Sequence, residues 1–177
     1  MSDEIGLTKQ EVFDKLIRTY LSYFTVENDV TINGISYNAI AEFHSRGEKY
    51  FLTKKAKLWA AETNEYVYFI ICENLDAETL KKLFSEAINY SLTKIKPHNE
   101  HMFSYISMVI ITESPQQDVL KETAKLSFRK NFKFSLHGWT EFRLALLDVS
   151  NKRIITNSCG KEIARNFKKS LKNFYIN

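Results

Sequence analysis

The chain has 177 residues and a formal net charge of +4, and 44% of its residues are apolar and 14% aromatic. This length is close to that of one domain, roughly 100–200 residues, and the apolar share excludes a disordered or fibrous chain. Two cysteines, an acidic start without a signal-peptide pattern, and apolar runs far shorter than the roughly twenty residues of a bilayer span together favour a cytoplasmic protein that crosses no membrane.

The first predicted element is an amphipathic helix. Thr8 and Glu11 have the spacing of a capping box, in which each side chain satisfies a free backbone N–H of the first turn. Apolar residues then recur at the spacing of one helix face, at Val12, Phe13, Leu16, Ile17, Tyr20, Leu21 and Phe24.

A β meander is predicted to follow. Asn33-Gly34 is the strongest short hairpin signal, because type I′ turns need a positive φ at both central residues. Residues 35–46 alternate between apolar and polar, which is typical of a half-buried strand in an antiparallel sheet. We expect, in order, a turn at Gly47, a strand within 50–62, a turn at Thr63-Asn64, and a strand within 65–73 that is buried on both faces.

The second half of the chain alternates helices with strands. Asp76 is the predicted N-cap of a second helix, flanked by the hydrophobic staple Leu75 and Leu80, and Ser114 followed by Pro115 predicts the start of a third helix. The remaining predicted elements are strands at 102–111, within 132–136, within 140–149 and at 153–156, and a last helix from about 160 to 174.

This order of elements predicts an α+β fold, with a mostly antiparallel sheet of about five to seven strands and helices packed on it. The sequence has five glycines and two prolines, which is little material for a flexible linker. Residues 1–177 are therefore expected to form a single domain.

Three polar residues of segment 35–46 form the first candidate site. Glu42, His44 and Arg46 alternate along the predicted strand, so their side chains point to one face. An acid, an imidazole and a guanidinium in a row suit anion binding or acid–base catalysis. The favoured alternative is a solvated strand face with a cross-strand ion pair.

Two histidines form the second candidate. His98 and His101 are ligands of the type that zinc takes, with Glu100 between them. The sequence offers no cysteine or third histidine at metal-site spacing, so a surface loop with two histidines is the favoured interpretation, and no cofactor is expected.

A third candidate pair is Glu141 and Arg143, which share one face of the predicted strand 140–149 just after Trp139. The favoured interpretation is structural: Trp139 anchors a turn to the core, and the two charged side chains pair with charged neighbours.

Basic residues at helical spacing form the fourth candidate. They could bind a phosphate backbone, with nearby aromatic rings stacking on bases, or they could be the solvated faces of amphipathic helices. The residues in question are Lys121, Lys125 and Arg129 in one stripe, Lys161, Arg165, Lys168 and Lys172 in another, and Lys54, Lys55 and Lys57 beside Tyr50, Phe51 and Trp59.

Four stretches of the sequence resemble a bacterial family of unknown function, which implies no activity and no site residues. They are Glu48-Lys49-Tyr50-Phe51-Leu52-Thr53-Lys54-Lys55-Ala56, Glu100-His101-Met102-Phe103-Ser104-Tyr105-Ile106, Gly138-Trp139 and Ile155-Thr156-Asn157.

The order helix, three-strand meander, helix and strand is also similar to the core of the restriction-endonuclease-like fold. Those nucleases hold magnesium with an Asp and a Glu-x-Lys motif on adjoining strands. Here the stretch Glu65-Tyr66-Val67 lacks the Lys, although Glu62 and Glu65 remain. The resemblance, which is one of element order, implies an active site that is missing or rebuilt.

The sequence has no Gly-rich phosphate loop, no nucleophile elbow and no Cys-x-x-Cys pair. We therefore expect a non-catalytic binding or interaction domain whose partner is a protein or a nucleic acid. The alternative is a metal-dependent nuclease or hydrolase that uses Glu42, His44 and Glu62 or Glu65. Whether the protein is an enzyme, and its oligomeric state, stay open at this stage.

Overall fold

A computed structural model describes residues 7–50 and 57–171, including their side chains except those of 48–50 and 57–60. The helices are α1 (Lys9–Tyr20), α2 (Ala77–Lys94), α3 (Gln117–Lys125) and α4 (Lys161–Ser170). The strands are β1 (Thr25–Ile32), β2 (Ile35–Tyr50), β3 (Lys57–Ile71), β4 (His101–Thr112), β5 (Arg129–Asn131), β6 (Trp139–Asp148) and β7 (Arg153–Thr156).

The strands described here form one mixed sheet in the order β1-β2-β3-β4-β6-β5, with β7 also paired to β6. The α+β class is therefore as predicted, but the sheet is less antiparallel than expected, since the central pairs β3–β4 and β4–β6 are parallel. The outer pairs are antiparallel. The helical crossovers through α2 and α3 account for the parallel centre, because a strand that returns after a helix enters the sheet in the same direction.

Helices cover both faces of the sheet. On one face, α2 and α3 bury Leu80, Leu83 and Val119 against the sheet, and on the other face α1 and α4 bury Leu16 and Phe167. We call these the α2–α3 face and the α1–α4 face. Successive strand residues alternate between the two cores, so the strands at the centre are apolar on both sides.

Several local signals act as predicted. The capping box of Thr8 and Glu11 forms, and Asp76 caps α2 by accepting a hydrogen bond from the backbone N–H of Thr79. Asn33 and Gly34 both have positive φ, at 50° and 78°. Cys72 and Cys159 are free thiols, and no helix in the described part of the chain has the length and apolar character needed to cross a membrane.

The predicted turns at Gly47 and at Thr63-Asn64 are wrong. Residue 47 pairs with Ala61 inside the β2–β3 ladder, and Thr63 and Asn64 lie within one long strand rather than between two. The polar pair is tolerated because Asn64, although buried, finds hydrogen-bond partners on both neighbouring strands. The connection between β2 and β3 lies outside the described residues.

Two other boundaries differ from the prediction. Helix α3 has Gln116, not Ser114, as its N-cap, and Ser114 instead has a positive φ while its N–H donates to Asp148. The strand predicted within 132–136 is a loop, and the strand next to it is β5. The predicted end of the last helix, to residue 174, extends beyond the described residues.

Candidate functional site

A row of polar side chains crosses the α2–α3 face beyond the end of α2. His44, Asn64, Ser104 and Thr140 are register partners on β2, β3, β4 and β6. The ring Nδ1 of His44 lies 2.7 Å from the Asn64 carbonyl oxygen, and the Asn64 amide nitrogen lies 3.3 Å from the Ser104 hydroxyl. Three of the four side chains, all but that of His44, are buried.

His101 continues this row. Its Nε2 lies 2.8 Å from the Ser104 hydroxyl and its Nδ1 lies 2.7 Å from the carbonyl oxygen of His137. A carbonyl oxygen only accepts, so Nδ1 carries a proton, and in the neutral ring Nε2 accepts the hydrogen bond from Ser104. This is the hydrogen-bond pattern of an activated serine, but Ser104 is fully buried and out of reach of a substrate in solvent.

The first two sequence candidates meet at the rim of this row. Glu42 forms an ion pair with Lys94 of α2 and lies 3.5 Å from the Nε2 of His44. Arg46 pairs with Glu100 at 2.5 Å. The structure therefore contains the cross-strand and inter-element ion pairs of the structural interpretation, with Glu42 partly buried rather than fully solvated.

His98 and His101 do not point toward a common metal position, because each ring bonds to different protein groups. His98 donates to Glu62 at 3.1 Å, and the ring centroids of the two histidines are 6.4 Å apart. Partial burial raises the pKa of Glu62, but hydrogen bonds from Asn64 and His98 outweigh it and hold that pKa below the ordinary value. Among the described residues no group of three His, Cys, Asp or Glu side chains is placed to hold a metal ion.

The predicted binding residues do not form one surface. Lys121 and Lys125 are exposed on α3, whereas Arg165 and Lys168 are exposed on α4, which covers the opposite face of the sheet. Arg129 lies on the edge strand β5, where it pairs with Glu141 at 3.0 Å and stacks 4.2 Å from the Trp139 ring centroid.

The third sequence candidate divides into two parts. Glu141 pairs with Arg129, as the structural interpretation predicts. Trp139 stacks on Phe103 of the neighbouring strand β4, with ring centroids 5.4 Å apart, and neither ring belongs to the two cores. Arg143 behaves differently, because it points from β6 into a cleft on the α1–α4 face. We call this the Arg143 cleft.

Two helices and two strands build the Arg143 cleft. Glu65 of β3 and Arg143 of β6 line it from the sheet, and the C-terminal end of α1 and the length of α4 provide the walls. Its volume is about 320 Å³. The lining residues are Thr19, Tyr20, Phe24, Glu65, Arg143, Glu162, Ile163, Asn166, Phe167 and Ser170.

Arg143 is buried, with 7% of its surface exposed, and it forms ion pairs with Glu65 and Glu162 without a hydrogen bond to either. Its Nε is buried and has no hydrogen-bond partner in the described part of the chain. One terminal nitrogen lies 4.0 Å from a carboxylate oxygen of Glu65, and the other lies 3.7 Å from a carboxylate oxygen of Glu162. Both distances are beyond hydrogen-bond length. The Tyr105 ring, with its centroid 3.0 Å from Cζ, supports one face of the guanidinium.

Burial also perturbs the acidic groups beside Arg143. Desolvation raises the pKa of Glu65, while a hydrogen bond donated by Ser107 at 2.8 Å and the charge of Arg143 oppose the rise. Desolvation raises the pKa of Tyr20 as well, with the charge of Glu65 adding to the effect. Tyr20 therefore stays a neutral hydroxyl, able to donate a hydrogen bond.

Sequence reasoning named Arg143 and Glu65 but did not bring them together. Arg143 was paired with Glu141 by alternation along one strand, and Glu65 was considered with Glu62. The signal that could have joined them is the buried apolar run after Arg143, which places this charge at the margin of a core.

Residues 8–169 match the family described as a domain of unknown function, DUF8052, and the chain belongs to that family. No curated protein and no solved structure matches the chain. The resemblance to an uncharacterised family is thus confirmed, whereas the restriction-endonuclease-like resemblance rests on element order alone.

Proposed function

We propose that this chain is a non-catalytic binding domain whose ligand site is the Arg143 cleft, and that the ligand presents an anionic group to Arg143. The observation that carries the proposal is the buried guanidinium whose Nε lacks a hydrogen-bond partner within the described residues.

The physical reason is the cost of an unsatisfied buried charge. A buried donor without a partner costs about 1–3 kcal/mol, and more when it is charged. A carboxylate or phosphate in the cleft would accept two parallel N–H donors from the terminal nitrogens of the guanidinium, which make no hydrogen bond to Glu65 or Glu162. Glu65 and Glu162 approach Arg143 but do not make this contact, so the edge of the guanidinium is available to a ligand.

The cavity supports a small ligand rather than a polymer. A volume of about 320 Å³ is at the lower end of small-molecule sites. Apolar side chains form part of the wall, and polar side chains supply orientation, as in most small-molecule pockets: Phe24, Ile163 and Phe167 on one hand, Thr19, Asn166 and Ser170 on the other.

Calorimetric titration with acetate and with inorganic phosphate tests the proposal. We expect weak, saturable binding of at least one of them to the natural chain and its loss in Arg143→Met. Arg18→Met is the matched control, because it removes the same charge from an exposed position on α1 and should leave binding unchanged. Binding that survives in Arg143→Met, or a natural chain that binds neither anion and no other carboxylate-bearing ligand, would refute this function.

A metal-dependent hydrolase is the second candidate function. The contacts that favour it form a chain of polar side chains on the α2–α3 face, in which Glu42 lies 3.5 Å from the Nε2 of His44 and Asn64 links His44 to Glu62. Cleavage of nucleic acid in the presence of Mg²⁺ or Mn²⁺ that disappears in Glu42→Ala would support it. Cleavage that is absent, or unchanged by Glu42→Ala, would reject it.

A further inference from the structure

The Arg143 cleft pairs its cation with an acid that is also largely out of water, since 9% of the Arg143 side chain and 20% of the Glu65 side chain are exposed. Arg143 and Glu65 reach it from β6 and β3, on either side of β4, and their closest nitrogen and oxygen atoms are 4.0 Å apart. An ion pair that served the fold alone would gain most from direct contact, since charge-assisted hydrogen bonds form at about 2.7–2.9 Å. The two charges are neighbours that do not bond.

This separation matches a ligand with two opposite charges close together. In an α-amino acid the ammonium and carboxylate groups are attached to the same carbon. A carboxylate at Arg143 and an ammonium at Glu65 would therefore satisfy both side chains at once. The cleft has one positive and two negative side chains, Arg143 against Glu65 and Glu162, so a simple anion meets repulsion that a zwitterion does not.

We propose that the Arg143 cleft binds a small zwitterion of the α-amino acid class, with its carboxylate on Arg143 and its ammonium on Glu65. This inference rests on the proposed function and specifies its ligand. Phe24, Ile163 and Phe167 provide an apolar wall for a side chain, and Tyr20 and Asn166 offer further polar contacts.

The test compares three probes of similar shape by calorimetry. L-Leucine carries both charges, 4-methylpentanoate lacks the ammonium, and 3-methylbutylamine lacks the carboxylate. Two charge-assisted contacts instead of one predict that leucine binds about tenfold or more tightly than either of the others. Glycine, acetate and methylamine form a smaller matched set that removes the steric demand of the side chain.

Glu65→Gln removes the negative charge of the cleft that would bind the ammonium group and leaves Arg143 in place. This isosteric change should abolish the advantage of leucine over 4-methylpentanoate, whereas Arg143→Met should abolish binding of both. Glu162→Gln, at the exposed rim, is the control for a general loss of negative charge, and it should leave most of the advantage intact.

The pH dependence gives an independent readout. Glu65 faces Arg143, Glu162, the Tyr20 hydroxyl and Ser107, and of these only Glu162 is another acid. Burial raises the pKa of Glu65, so acidification neutralises it above the ordinary carboxyl range. Leucine binding should weaken as the pH falls through this range, while binding of methanesulfonate, an anion that stays ionised there, should strengthen because the repulsive charge of Glu65 disappears.

The outcomes are distinct. If 4-methylpentanoate binds as tightly as leucine and both need Arg143, the zwitterion inference is wrong and the anion-binding function stands. If none of the probes binds, or if binding persists in Arg143→Met, both fall. A preference for leucine that depends on Glu65 and Arg143 together supports both.

Discussion

The guanidinium of Arg143 is held by packing rather than by hydrogen bonds. The Tyr105 ring supports one face, Glu65 and Glu162 lie beyond hydrogen-bond distance, and Nε is buried without a described partner. A buried charge in this state reduces stability unless something else satisfies it. At the residue scale, this is why we assign the ligand site to the Arg143 cleft rather than to the hydrogen-bonded histidine network.

The histidine network is the contrasting case. Asn64, Ser104 and His101 each have partners at hydrogen-bond distance, so most of the row is already satisfied within the fold. The exception on this row is the Thr140 hydroxyl, which is buried and lacks a partner in the described part of the chain. Hydrogen bonds between side chains of neighbouring strands favour the register in which β2, β3 and β4 align.

Glu65→Gln should change how stability depends on pH. Because burial raises the folded-state pKa of Glu65 above the ordinary value of 4.5, its ionised form is disfavoured in the folded protein. The unfolded chain releases this proton first, so the natural chain should lose stability relative to Glu65→Gln as the pH rises above 4.5. Urea denaturation of both chains across this range measures the difference in the free energy of unfolding. A natural chain that gains stability relative to Glu65→Gln as the pH rises would contradict the assignment.

The loop between β5 and β6 is the least expected element. Lys133, Phe134 and Ser135 have φ values of 48°, 54° and 69°, three consecutive left-handed residues without a glycine. Phe134 is 98% exposed, so no packing in the described structure offsets the strain. Backbone hydrogen bonds from Leu136 to Lys133 and from Gly138 to Ser135 hold the turn.

The sequence predicted a strand here because Phe132, Phe134 and Leu136 alternate with polar residues, which is the pattern of a half-buried strand. In the structure, residues 132–136 pair with no neighbouring strand among the described residues, because the β5–β6 pairing covers only residues 129–131 of this segment. Gly138 ends the loop with φ at 73°, and a Cβ there would lie 2.3 Å from the carbonyl oxygen of Met102. The close approach of the Gly138 backbone to Met102 therefore favours the loop over a strand, and the sequence pattern does not reveal this contact.

Two substitutions in this loop should shift stability in opposite directions. Ser135→Gly should stabilise the protein by about 0.5–1 kcal/mol because glycine adopts positive φ without strain. Gly138→Ala should destabilise it by about 2 kcal/mol or more, since both φ and the Met102 contact oppose a Cβ. Chemical denaturation of each variant provides the measurement.

Ser127→Gly is the matched control for the loop, because Ser127 is exposed and is not among the residues with positive φ. Glycine there should be neutral or slightly destabilising. Equal gains from Ser127→Gly and Ser135→Gly would show that strain at residue 135 is not the cause.

At the scale of the whole molecule, the local signals were the predictable part. Caps, the Asn33-Gly34 turn and helical stripes depend on neighbours within a few residues, and the structure contains them. The parallel pairing of β3, β4 and β6 depends on how strands distant in sequence are ordered in the sheet, and the sequence does not state that order.

The candidate site was hidden for the same reason. Glu65 and Arg143 become neighbours because β4 lies between β3 and β6, and they share a cleft because α1 ends and α4 runs above them. Alternation along a single strand predicts which face a residue shares, but not what it meets across the sheet. Each residue was recognisable alone, and their shared cleft was not.

The most direct measurement is the Nε–H resonance of Arg143, since the unpartnered Nε is the observation on which the account depends. The resonance can be identified in a nitrogen-edited NMR spectrum by its loss in Arg143→Met, and then followed as L-leucine is added. The account predicts a saturable shift together with slower exchange of this proton with water. A resonance that stays unchanged throughout the titration, in position and in exchange rate, would contradict it.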